Sequence, residues 1–204
     1  MTQPSAKPAA PSRPSGRPYL IAGLIWFAAA VGVAGSGRLS QLQPPVPQAV
    51  ILGLTVTLIV LGVALPRFRA WLATWNLRQL IAFHVIRYVG IYFLILYGRG
   101  ALPFDFAVPA GWGDIVVATA ALVLVLFTPD LTSHRAGVFI WNVVGFLDIG
   151  YAVLTATRLA LADPQSMINI LRLPLSLIPT FFVPLIIASH VLIFSRLMKR
   201  VNPT

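Results

Sequence analysis

Six long apolar runs, separated by short polar or proline-rich stretches, set the pattern of this chain: 19–35, 49–65, 79–98, 106–127, 136–157 and 173–195. Each comes close to the ~20 residues that carry a helix across a hydrocarbon core of ~30 Å. The pattern predicts an all-α fold, a polytopic bundle of six transmembrane helices within a domain spanning 19–198. Ahead of it, residues 1–18 interleave Pro4, Pro8, Pro11, Pro14 and Pro18 with Ser, Ala, Lys and Arg. Such a composition buries too little apolar surface to offset the entropy of ordering, so the reading is a disordered tail. The first run has a basic leader and a small-residue end, but both leader and run are long for a signal peptide, and a retained helix is the better reading.

Two shorter segments have their own pattern. In 66–78, Phe68, Trp71, Leu72 and Trp75 recur at helical spacing among Arg67, Arg69 and Arg78. That is the signature of an amphipathic helix lying at headgroup level. In 163–172, Asp163 followed by Pro164 predicts a cap and a first turn of a short surface helix.

The fourth and sixth runs are interrupted. Pro109, Gly111 and Gly113 break up the first third of the fourth, and Pro174, Pro179 and Pro184 punctuate the sixth. A proline inside a helix removes a backbone hydrogen bond. In lipid the freed carbonyls need partners, so a broken helix persists only where protein or a wet cavity surrounds it. Two interrupted helices of this kind frame cavities in transporters. A helix beginning near Gly113 would set Asp114 close to the outer surface.

Composition agrees with the hydropathy. The chain is 58% hydrophobic and 10% charged, against about 25% charged in soluble domains. Cysteine is absent, which excludes disulfides, thiolate metal sites and cysteine nucleophiles. A net charge of +10 would suit nucleic acid, but the basic residues flank apolar runs as membrane anchors do. Lys7, Arg13, Arg17, Arg67, Arg69, Arg78, Arg135, Arg196, Lys199 and Arg200 fall on one side of the expected bilayer, and only Arg38, Arg99 and Arg158 on the other. This asymmetry places both termini in the cytoplasm. The partner is a lipid bilayer, not nucleic acid.

Polar residues within the spans are the candidate site. His84 and His190 each lie six residues from a cytoplasmic-side arginine, and Asn142 comes to a similar depth. Arg87 follows His84 by three residues and shares its face. Asp148 lies on one face with Trp141 and Gly145. Buried charges are costly and usually pair, so Arg87 is expected to pair with Asp148, and Asp114 with Arg172 near the outer surface. Two groups follow: an inner one of His84, Asn142 and His190 with Arg87, and an outer one of Asp114, Arg172 and Asp148. His84 and His190 at equal depth also admit a haem held between two imidazoles. A zinc site lacks a third strong ligand, no catalytic triad can be assembled, and no phosphate loop or dinucleotide fingerprint is present.

Through VPAGWGDIVVA, WNVVGFLDIGYAV and LIPTFFVPLIIASH, beginning at Val108, Trp141 and Leu177, the chain resembles a group of small uncharacterised bacterial multi-pass membrane proteins. The resemblance implies a bacterial cytoplasmic membrane and carries no activity. The functional expectation is a small permease or channel-like protein whose inward polar residues handle a proton or small solute. The alternatives are a non-catalytic assembly or sensory subunit, working with a membrane partner or as a homo-oligomer, and a bis-histidine haem electron carrier.

Overall fold

A computed structural model describes residues 15–199, and within them only helices and connections occur. Six helices are long and apolar enough to cross a membrane: α1 (Arg17–Gly35), α2 (Val46–Ala64), a composite third span (Leu77–Gly98), α6 (Phe104–Phe127), α7 (Arg135–Ala162) and a last span covering Ile178–Met198. The third span comprises α4 (Leu77–Phe83), a 3-10 stretch (His84–Val89) and α5 (Gly90–Gly98). The last is one π turn (Ile178–Phe182) followed by α8 (Val183–Lys199). Of the expected tail, residues 1–14 lie outside the described residues, while Arg17 and Pro18 already belong to α1.

Local chemistry sets the boundaries. Asn76 caps α4 by accepting from the Gln79 amide at 2.8 Å while the Gln79 side chain accepts from the Asn76 amide at 2.8 Å. This capping box starts the third span two residues earlier than hydropathy suggests. The short amphipathic helix is present as α3 (Pro66–Thr74), with no buried residue and with Arg67 and Arg69 exposed. Its Phe68 and Trp71 pack on Tyr19 with ring centroids 5.0 and 5.1 Å apart. Asp163 caps the next short segment by accepting from the Gln165 amide at 3.0 Å, although the segment (Pro164–Leu171) winds as a 3-10 helix.

The expected break in the fourth span does not occur. α6 runs unbroken from Phe104 through Pro109 to Phe127. Pro109 sits early in the helix, where the bond it removes would have reached the Asp105 carbonyl in the exposed first turn. The sixth span is broken as expected, and the repair is visible. Pro184 has no N–H to give to the Thr180 carbonyl four residues back. Trp26 of α1 supplies the missing donor, its Nε1 reaching Thr180 O at 3.1 Å.

Three of the arginines read as lipid-facing anchors turn inward. Arg78 donates to the carbonyls of Val125, Thr128 and Pro129, Arg135 to that of Leu197, and Arg196 to those of Trp75 and Leu72. These carbonyls lie at or just beyond helix ends, where intrahelical donors run out, and the arginine charges complement the negative end of the helix dipole. All three lie at one end of the bundle. At the opposite end, the one ion pair among the described residues is exposed, Arg158–Asp105 at 3.6 Å, of the kind that contributes little.

Three apolar clusters fill the interior, a small one of Ile149, Val183 and Ile186 between α7 and the last span and two larger ones. One, toward the arginine-rich end, holds Ile81, Val117, Ala121, Val138, Trp141 and Ile193. The other, toward the opposite end, holds Phe93, Leu102, Phe106, Ala107, Ala110, Met167 and Leu175. Between them lies a polar layer.

Candidate functional site

The polar layer starts from the 3-10 stretch in the third span. With three residues per turn, side chains at i and i+3 eclipse. His84 and Arg87 therefore project to the same side, and both are fully buried. A 3-10 segment inside a longer helix often marks a site under functional strain.

Arg87 is the centre. Its Nε donates to Asp114 Oδ1 of α6 at 2.6 Å, its Nη1 to the Gly145 carbonyl of α7 at 2.9 Å, and its Nη2 to Asp148 Oδ2 of α7. One guanidinium thus joins three spans. The expected Arg87–Asp148 pair is present. The expected Asp114–Arg172 pair is not: Asp114 is buried against Arg87, and Arg172 is exposed after the 3-10 segment at the end away from the arginine cluster. The division into inner and outer groups gives way to one layer holding all the candidates except Arg172. The close approach depends on missing side chains. A Cβ on Gly113 would collide with Asp148 Oδ1, and one on Gly145 would lie 2.7 Å from His190 Cε1.

His84, Asn142 and His190 form the other half of the layer, each with no exposed surface. Asn142 of α7 grips His190 of α8 at two points: its Nδ2 donates to the His190 carbonyl at 3.1 Å, and its Oδ1 faces His190 Nδ1 at 2.8 Å. Since Oδ1 can only accept, His190 carries its proton on Nδ1. Ser189 Oγ donates to the Ile186 carbonyl at 2.8 Å, so it accepts from His84 Nε2 at 3.0 Å. The remaining ring nitrogens, His84 Nδ1 and His190 Nε2, are buried and have no hydrogen-bond partner among the described residues. A protonated imidazole donates from both nitrogens. Neither ring has an acceptor for a second N–H, so both are neutral.

The two rings lie 4.2 Å apart between centroids, and Trp141 stands edge-on to His84 at 5.1 Å. Rings in contact leave no layer for a porphyrin, so the residues do not fit a haem between His84 and His190 in this arrangement.

A cavity of about 290 Å³ borders the layer. It runs from Gln43 ahead of α2 and Gln48 in its first turn, past Tyr92, Phe106 and Ala152, to Arg87 and Asp114. The proline-broken start of the last span forms much of its wall, through Leu175, Pro179 and Phe182. The expectation that interrupted helices frame one cavity holds for the sixth span, while the fourth contributes as a continuous helix. Sequence reading missed the Gly145 carbonyl as an Arg87 acceptor, although Gly145 lies on the face already assigned to Trp141 and Asp148. It missed Gln48 too, which carries no signal beyond polarity at the edge of an apolar run.

Six apolar spans enclosing a layer of buried charge define a multi-pass membrane protein. More particularly, the chain belongs to the family described as "Domain of unknown function (DUF8737)", whose model matches residues 44–198. That range takes in the whole polar layer and leaves out α1. No curated protein and no solved structure matches the chain.

Proposed function

We propose that this protein is a small permease-like membrane protein that holds a small solute in the cavity beside Arg87 and Asp114 and couples its movement to a proton. One observation carries this reading: among the described residues, the only charged groups lining an otherwise mostly apolar cavity are a fully buried arginine and its carboxylate partner. Ligand sites have this composition, apolar walls with a few placed polar groups. Ionisable groups at membrane depth commonly mark solute or proton pathways. The arginine-rich end suits the cytoplasmic face of a bacterial inner membrane by the positive-inside rule, and the sequence resemblance supports the bacterial setting.

The test is proton flux into vesicles that carry the purified protein and an entrapped pH-sensitive dye, on addition of small solutes outside. At least one solute is expected to change the internal pH, and the response to disappear in Ala152→Trp, which fills the cavity. The reading fails if protein-bearing vesicles match empty ones for every solute.

A further inference from the structure

The charges in the polar layer do not balance. Arg87 supplies one positive charge, and its two partners, Asp114 and Asp148, supply two negative charges when ionised. The groups packed around them add none. His84 and His190 are neutral, each with one ring nitrogen lacking an acceptor, and Asn142 carries no charge. The other arginines with side-chain bonds are at the carbonyl staples of one bundle end or, for Arg158, exposed at the other. An isolated buried charge is strongly unfavourable and is normally neutralised or paired. One positive charge is therefore missing from the layer.

The placement shows where it would enter. Asp148 bonds Arg87 away from the cavity, whereas Asp114 is part of the cavity wall. The wall offers a second acceptor as well: Gln48 Oε1 is buried and without a hydrogen-bond partner among the described residues. Tyr92, Phe93 and Phe106 are part of the lining, and aromatic rings attract cations. An anion would meet a layer already one negative charge in excess. A neutral apolar solute would leave the balance of the layer to a proton, as in the empty site.

Building on the permease reading, we propose that the ligand class is a small lipophilic monocation, such as an alkyl- or arylammonium. Its charge sits against Asp114 and its apolar body fills the cavity. In the empty site one proton, held by Asp114 or Asp148, takes the same place. Cation and proton then exclude each other, which is the elementary requirement for exchanging one for the other across a bilayer.

Isothermal titration of the full-length protein in detergent tests this with three probes of similar shape: benzyltrimethylammonium, its uncharged isostere neopentylbenzene, and phenylacetate. Benzyltrimethylammonium is expected to bind best. Because one proton competes with one cation, its affinity should fall about tenfold per pH unit once the layer is protonated. Asp114→Asn should abolish binding. So should Asp148→Asn, although Asp148 does not line the cavity, since either change brings the layer to charge balance. Wild-type protein alone decides the matter through the pH series if either variant fails to fold. Binding of neopentylbenzene or phenylacetate in preference to the cation overturns the inference and leaves the permease reading standing. Cation binding that is independent of pH also overturns it. Absence of binding by all three also overturns it, and the permease reading then stands or falls on the vesicle assay alone.

Discussion

Two polar clusters share one layer of this bundle and differ in kind. The His84–Asn142–His190 cluster is neutral, fully enclosed and held by paired hydrogen bonds. The Arg87–Asp114–Asp148 cluster is charged, unbalanced and open on one side to a cavity. They meet at Gly145, whose carbonyl accepts from Arg87 and whose bare Cα lets His190 approach. Burial alone does not mark a working site, because the histidines are the more deeply buried. What separates the clusters is an unanswered charge next to unfilled space.

Four substitutions break or sharpen this contrast. Arg87→Leu should have the largest effect, since it leaves the buried Asp114 and the partly buried Asp148 without a counter-charge. Removing one partner of a buried ion pair costs about 3–5 kcal/mol, and denaturant unfolding in micelles should show most of the native state lost. Gly113→Ala forces a methyl into Asp148 and should cost about 1–3 kcal/mol, as overpacking does. Its thermal midpoint should fall, and affinity for benzyltrimethylammonium should change with it. Asn142→Leu strips His190 of its acceptor, at about 1–3 kcal/mol for a buried group left unsatisfied. Here the cation affinity should not move. A drop in affinity beyond the stability loss would mean that the neutral cluster takes part in binding. Trp26→Phe should be mildest. It keeps the ring and loses one bond to a backbone carbonyl, worth about 0.5–1.5 kcal/mol, and is read as a small shift of the unfolding midpoint.

Much of the architecture is legible in the sequence because lipid imposes long apolar runs. All six spans, the amphipathic α3 and the Asp163 cap follow from hydropathy and spacing. The convergence of His84, Asn142 and His190 follows from counting depth along each span. The partner of Asp114 does not, and the reason lies in PAGWGD. Pro109, Gly111 and Gly113 look like a break, which would lift Asp114 to the surface. In fact α6 begins at Phe104. Roughly ten helical residues at 1.5 Å rise carry Asp114 about 15 Å inward, to the level of Arg87. The glycines serve contact between helices rather than a turn. Gly111 lies opposite Gly90, where a Cβ on Gly90 would sit 2.4 Å from the Gly111 carbonyl. A lone sequence cannot separate a glycine that bends a helix from one that admits a neighbour. The inward arginines Arg78, Arg135 and Arg196 escape notice for a related reason: anchoring to headgroups and capping carbonyls use the same residue at the same depth.

The indole of Trp26 and the carbonyl of Thr180 are 154 residues apart in the chain. Synthesis delivers the tryptophan with the first of the six spans and its acceptor with the sixth. The first helix must therefore wait in the bilayer through the insertion of four others before its hydrogen bond can form. Closing that bond ties the first of the six spans to the sixth across the order in which they are made.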